Sequence, residues 1–207
     1  MKLIPALISN AAILICTVYC IGLYFFDEER KPAPGRGIRS FRYFTTLSNV
    51  FSALVSAVWI LPEIRMLSGA GQAPAGGLLV LKFMGAVSVT VTLLTVLFFL
   101  GPNMGYGPLF AGSGLYLHLI GPVLALLAFC GFEKGTDLRF PQIFCALLPT
   151  ALYGAVYLNQ VVRLGEDRGG WEDFYGFNRN GKWKVSIVMM LAASLAIGTA
   201  VAFAHNL

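Results

Sequence analysis

Five long stretches of the chain contain no Asp, Glu, Lys or Arg, and this pattern determines the fold class. They are residues 3–26, 83–100, 113–132, 140–162 and 185–207, and a sixth stretch, residues 43–62, is interrupted only by hydroxyl groups and one amide. Each is about 18–24 residues long, and roughly 20 apolar residues cross the hydrocarbon core of a bilayer as a helix. Because 57% of all residues are hydrophobic and only 12% are charged, a soluble domain is excluded. We predict an all-α integral membrane protein, a single domain over residues 1–207 that folds as a six-transmembrane-helix bundle.

The basic residues indicate an orientation for this bundle. Six spans place both termini on one side of the membrane, and the loops between spans 1 and 2 and between spans 5 and 6 then lie on the other side. That other side carries most of the cations: Arg30, Lys31, Arg36, Arg39, Arg42, Arg163, Arg168, Arg179, Lys182 and Lys184. The terminal side carries Lys2, Arg65, Lys82, Lys134 and Arg139. The positive-inside rule predicts that loops 1–2 and 5–6 are cytoplasmic, in the inner membrane if the source is bacterial.

No motif for a metal, nucleotide or haem is present, and the four cysteines all fall within predicted spans without metal-ligand spacing. We therefore expect no cofactor and no metal, and we expect the partners to be membrane lipids rather than nucleic acid.

His118 is the most informative single residue. It lies in a stretch, residues 83–132, that contains no Asp, Glu, Lys or Arg. Ionisable groups inside a membrane are expensive and usually functional, and neutral imidazole is a group that accepts a proton near pH 7. A packing histidine that hydrogen-bonds a neighbouring helix is an equally good interpretation of this residue alone.

Several polar side chains share the predicted depth of His118. Spans 2 and 4 start on the same side, so Thr45 lies within about a turn of one helix start and His118 about 7–8 Å into the other. Span 5 runs towards that side and carries three further polar groups at comparable depth: Tyr157, Asn159 and Gln160. A hydroxyl, an imidazole and a carboxamide are the groups that acyl transfer requires as nucleophile, base and orienting or oxyanion-binding group.

Two other interpretations, helix packing and a serine protease, compete with a threonine–histidine site. Thr45, Ser48 or Asn49, Ser52 and Ser56 recur along one face of span 2, and small polar residues of this kind let membrane helices approach closely. Ala111-Gly-Ser-Gly114 is similar to the Gly-x-Ser-Gly motif of rhomboid proteases. Ser113 and His118 are five residues apart, however, so they cannot pair within one helix.

Three motifs resemble one membrane family. They are Phe41-Arg-Tyr-Phe-Thr-Thr-Leu-Ser-Asn49 at the start of span 2, His118 followed by Gly121-Pro122 in span 4, and Tyr175-Gly-Phe-Asn178 before span 6. They are similar to motifs of the family of the androgen-induced protein and the androgen-dependent TFPI-regulating protein, especially its bacterial six-span branch. The animal members are threonine hydrolases that cleave fatty acid esters of hydroxy fatty acids. The resemblance implies Thr45 as nucleophile, with Thr46 as the competing alignment, and His118 as base.

The leading hypothesis is therefore an intramembrane lipid-ester hydrolase whose substrate is a fatty acyl ester within the bilayer. Asn49, Asn159 and Tyr157 would orient the base or bind the oxyanion, and Arg39 and Arg42 could hold a substrate carboxylate at the interface. A non-enzymatic protein that binds or transports a lipid or small amphiphile is the alternative. A third hypothesis is that the protein is a passive subunit of a larger membrane complex, which would require no binding or catalytic site.

Overall fold

Six long helices build the structure, and they confirm the predicted class. The computed structural model describes residues 1–26 and 37–207. The described residues form an all-α bundle whose helices are each long and apolar enough to cross a membrane. These helices are α1 (Leu3–Phe26), α2 (Phe44–Leu67), α3 (Gly76–Met104), α4 (Ser113–Phe132), α5 (Phe140–Leu164) and α6 (Trp183–Asn206). Three cations of the predicted basic loop, Arg30, Lys31 and Arg36, lie outside the described residues.

The helix bounds differ from the predicted spans mainly where a charged residue enters a helix. Helix α3 begins at Gly76 instead of Phe83, and it includes Lys82. Helix α2 runs on through Pro62 to Leu67 and includes Glu63. The sequence prediction ended both spans at their first charge, and this was wrong because both charges have partners inside the bundle.

The core lies between α2, α3 and α4. The largest completely buried side chains include Trp59 of α2, Phe83 of α3 and Phe129 of α4, each with no exposed surface. Helices α2 and α3 approach each other closely at Gly85, where an added Cβ atom would lie 3.4 Å from the Cα atom of Ser52. The small residues of α2 thus serve close helix packing, as the pattern of hydroxyls and alanines predicted.

An ionic cluster is buried at the end of the bundle that holds the N-terminus. We use the name buried ionic cluster for five residues, none of which is more than 3% exposed: Asn10, Ser56, Glu63, Lys82 and Glu133. The Lys82 ammonium lies 3.3 Å from the Glu133 carboxylate and donates to Ser56 Oγ at 3.0 Å and to the side-chain oxygen of Asn10. Lys82 therefore lies inside the bundle at its terminal-side end, and it does not count towards the exposed charge of that surface.

Three of the helices contain π-helical turns. These are residues Val96–Leu100 of α3, Tyr116–Ile120 and Ala128–Phe132 of α4, and Asn159–Leu164 of α5. The first turn in α4 ends where the Gly121 N–H donates to the Tyr116 carbonyl oxygen, five residues earlier. His118 lies in the middle of this turn.

Candidate functional site

Asn49 joins α2 to α4 next to His118. Its side-chain nitrogen donates to the Thr45 carbonyl oxygen at 2.8 Å and to the Leu117 carbonyl oxygen at 2.9 Å. Asn49 is 2% exposed, so these bonds satisfy both N–H groups of a buried amide. Thr45 is one turn before Asn49 and His118 is one residue after Leu117, so the bundle brings both predicted residues to neighbouring positions on adjacent helices. With both N–H groups engaged, Asn49 orients the two helices and has no free donor for an oxyanion.

The His118 ring is held in one tautomer. Its Nδ1 atom lies 2.6 Å from the carbonyl oxygen of Leu109, in the connection between α3 and α4. A carbonyl oxygen only accepts hydrogen bonds, so Nδ1 carries the hydrogen and the neutral ring has its lone pair on Nε2. This is the form of histidine that can take a proton at Nε2.

Thr45 contacts the loop between α5 and α6. Its side chain lies near enough to the Tyr175 hydroxyl to influence the pKa of that group, as does the Tyr153 hydroxyl. The Tyr175 oxygen accepts the Phe44 N–H at 3.1 Å. Within residues 1–26 and 37–207 no hydrogen bond joins Thr45 to His118. Both residues belong to the same end of the bundle, with the Thr45 hydroxyl directed to Tyr175 and the His118 ring to Leu109.

Asp173 determines where Tyr175 lies. Its carboxylate accepts the Phe177 and Asn178 N–H groups, each at 2.8 Å, and the hydroxyl of Tyr157 at 3.0 Å. The Tyr157 oxygen in turn accepts the Tyr175 N–H at 3.0 Å. A carboxylate with several donors fixes a tight loop, and this loop is thereby fastened to α5. Tyr157 is 1% exposed and fully engaged in this role.

The Tyr175 hydroxyl is a neutral donor at ordinary pH. Burial raises the pKa of Tyr175 to about 12, although its hydrogen bonds with Phe44, Tyr153 and Thr45 oppose that change. A neutral phenol next to a threonine hydroxyl can donate to a developing oxyanion. Sequence reasoning cited Tyr175 only as part of a motif, and no local pattern indicated that it would contact Thr45.

The remaining predicted site residues lie at the periphery. Asn159 is exposed, and its side-chain oxygen is 3.5 Å from the Arg163 guanidinium. Arg39 and Arg42 are exposed in a short 3₁₀ turn, Gly37–Arg42, directly before α2. The Arg42 guanidinium carbon lies 5.8 Å from the centre of the Trp171 ring, a cation–π distance. Arg39 and Arg42 thus lie on the surface directly before α2, and Asn159 lies on the surface of α5.

A cavity of about 440 Å³ lies beside Thr45. Trp171 is part of its wall, and the other wall residues come from the start of α2 and from α3 and α5. We call it the apolar groove, and it is lined by Phe41, Phe44, Leu47, Ser48, Phe51, Met84, Ser88, Pro149, Leu152, Tyr153, Val156 and Trp171. Among the described residues neither Thr45 nor His118 is part of this lining, but Phe44 immediately precedes Thr45. The groove is wide enough and apolar enough for a hydrocarbon chain.

In comparisons with known proteins, no protein-family model, curated protein or solved structure matches the chain.

Proposed function

We propose that the protein is an intramembrane hydrolase of lipid esters, with Thr45 as the nucleophile and His118 as the general base. The observation that carries this proposal is the contact of His118 Nδ1 with the Leu109 carbonyl oxygen at 2.6 Å, because it leaves Nε2 as the basic atom. The Asn49 amide supports it, since it holds the two helices together between Thr45 and His118. The resemblance of the surrounding motifs to the androgen-induced protein family favours a fatty acid ester of a hydroxy fatty acid as substrate.

The proposed reaction has two stages. His118 Nε2 takes the proton of Thr45 Oγ1 while Oγ1 bonds to the carbonyl carbon of the ester, and the carbonyl electrons move to the oxygen. As this intermediate collapses, the imidazolium returns the proton to the departing alkoxide, so an alcohol leaves and an acyl-threonine stays. A water molecule then attacks the acyl carbon, His118 again takes and returns one proton, and a free fatty acid and the threonine hydroxyl are regenerated.

Rotation of the Thr45 side chain connects this reaction with the observed contacts. Threonine in a helix divides between two χ1 rotamers, so turning from Tyr175 towards α4 requires no change in the backbone. The Tyr175 hydroxyl, released from Thr45, is then a donor for the oxyanion that forms at the ester carbonyl. Catalytic hydrogen bonds commonly form only when substrate is present.

The apolar groove is the proposed site for an acyl chain. Its wall includes Phe44, one residue before Thr45, and Ser48, three residues after it, so a chain in the groove would place its polar end near the Thr45 hydroxyl. Arg39 and Arg42 are exposed directly before α2, where they can bind a substrate carboxylate at the interface. The same side carries the greater number of cations, which favours a cytoplasmic location for the site.

Labelling with a fluorophosphonate probe in detergent tests this function. We expect wild-type protein to be labelled on the peptide that contains Thr45, and we expect Thr45→Val and His118→Ala to lose the label together with hydrolysis of long-chain esters. Thr46→Val is the matched control, because Thr46 is adjacent, 2% exposed and the competing alignment. Labelling that persists in Thr45→Val, or that disappears only in Thr46→Val, would refute the assignment of Thr45.

One observation favours a second candidate, a protein that binds an amphiphile without cleaving it. The described wall of the apolar groove contains neither Thr45 nor His118, so binding there does not require either residue. Binding of a fluorescent fatty alcohol ether, which cannot be hydrolysed, would be reduced by Leu152→Trp in the groove. Leu148→Trp is the control, since Leu148 is exposed on α5 outside the lining. Strong binding without turnover of any ester would favour this function over hydrolysis.

A further inference from the structure

The buried ionic cluster has a hydrogen-bond pattern that can be followed atom by atom. The Asn10 amide donates one hydrogen to Glu63 Oε1 at 3.0 Å and the other to Glu133 Oε1 at 2.7 Å. Lys82 uses its three hydrogens on Asn10, Ser56 and Glu133. The two carboxylates therefore lie on either side of one amide, and the ammonium contacts only one of them.

Two oxygens of the cluster have no partner. Glu63 Oε2 and Glu133 Oε2 are completely buried, and within the described part of the chain neither accepts a hydrogen bond. Glu63 has no exposed surface and Glu133 is 1% exposed, so solvent does not compensate for the missing bonds. A buried carboxylate oxygen without a donor is strongly unfavourable, and it points to a ligand that supplies a hydrogen.

The charges in the cluster lead to the same conclusion. Two ionised carboxylates and one ammonium leave one uncompensated negative charge in an apolar interior. Lys82 forms an ion pair with Glu133, whereas the side-chain hydrogen bond that Glu63 accepts within the described residues comes from the neutral Asn10 amide, and Lys82 acts on Glu63 only from a greater distance. An isolated buried carboxylate normally takes up a proton, because its desolvation is not repaid by a partner.

We propose that the buried ionic cluster is a proton-binding site, in which Glu63 is a neutral carboxylic acid at neutral pH. The proton comes from solvent and forms an O–H bond at Glu63 Oε2, and the charge of that carboxyl changes from −1 to 0 without breaking another bond. The new hydrogen makes Glu63 Oε2 a donor, and the acceptor we assign to it is Glu133 Oε2, the unpartnered oxygen of the carboxylate that shares the Asn10 amide. This site is at the opposite end of the bundle from Thr45 and His118, and it does not depend on the hydrolase proposal.

Other titratable groups face the cluster from α4 and α6. His205 of α6 stacks on Phe129, with its ring nitrogens 2.8 Å from the Phe129 carbonyl oxygen and 3.1 Å from that of Thr136. A neutral ring donates to only one of these carbonyls, whereas an imidazolium would donate to both, supply the missing positive charge and leave Glu63 ionised. Cys130 of α4 and the adjacent Lys134 also act electrostatically within this end of the bundle. In the described part of the chain, His205 is therefore an alternative carrier of the compensating charge.

Infrared spectroscopy of the full-length protein in detergent at neutral pH distinguishes these states, because only a protonated carboxyl shows a carboxylic acid C=O band above the amide region. We expect one such band in wild-type protein, its loss in Glu63→Gln, and its retention in the control Glu166→Gln, which alters an exposed acid in the loop between α5 and α6.

We also expect Glu63→Asp to shift the band without removing it, which separates loss of the proton from loss of the fold. Lys82→Met should add a second band, since Glu133 would then also lack a cation.

The outcomes that would overturn the proposal are equally specific. Absence of the band in folded wild-type protein would mean that both carboxyls are ionised, and this would refute the proposal. A band that persists in Glu63→Gln and disappears in Glu133→Gln would place the proton on Glu133 instead of Glu63 and would refute the proposal.

Discussion

Replacement of Lys82 by methionine is the change with the largest expected effect on stability. Lys82 is 3% exposed, and its ammonium contacts Asn10, Ser56 and Glu133. Methionine keeps most of the side-chain volume, so the packing contribution is small. The main loss is the positive charge next to a buried carboxylate, and removal of one partner of such a pair costs about 3–5 kcal/mol. The loss of stability lies at the lower end of this range if Glu133 takes up a proton when the ammonium is removed.

The free energy of unfolding, measured by titration of the purified protein with a denaturing detergent, checks this value. Arg65→Met is the control, because it removes a cation from an exposed position of α2 and should change stability by less than about 0.5 kcal/mol. The double variant Lys82→Met/Glu133→Gln should recover part of the loss, since it leaves no carboxylate at position 133 without its cation. A Lys82→Met variant as stable as Arg65→Met would refute the argument that the ion pair stabilises the bundle.

Two further predictions concern the other end of the molecule. Because burial raises the pKa of Tyr175 to about 12, its contribution to stability is complete below about pH 10 and is lost as the pH rises through about 12. Tyr175→Phe should therefore lose less stability between pH 9 and 12, as judged by thermal unfolding. An added Cβ at Gly121 would lie 3.1 Å from Asn49 Oδ1, so Gly121→Ala should destabilise by about 1–3 kcal/mol, whereas Gly131→Ala meets nothing within 4 Å and should not. Equal stability of the two glycine variants would show that α2 and α4 do not depend on this close approach.

The helices could be predicted from sequence because lipid imposes a simple rule on them. A stretch without charges that is long enough to span has few alternatives to a helix, and the bounds of α1 and α4 agree with the charge-free stretches. The rule fails at Glu63 and Lys82, where a charge inside a helix is stabilised by residues far apart in the chain. Lys82 is 72 residues from Asn10 and 26 from Ser56, and no local pattern identifies such partners.

The sequence indicated the end of the bundle at which the candidate site residues lie, but not which groups their side chains contact. Helical rise was sufficient to place Thr45 and His118 at the same end of the bundle, and their helices do meet at the Asn49 amide. Their side-chain contacts depend on the loops, because Leu109 and Tyr175 are outside the spans that periodicity describes. Asn159 illustrates the limit, because its position around α5 leaves it exposed.

The π-helical turn at Tyr116–Ile120 makes the position of His118 depend on the length of the chain as well as on its sequence. Such a turn accommodates one more residue than an α-helical turn between the same flanking segments. Deletion of a single residue from it would allow α4 to close into a regular α-helix, and every side chain on one side of the deletion would rotate by about 100° relative to the other. Homologous chains that lack this extra residue would therefore present a different face of α4 to α2, even if the histidine itself were kept.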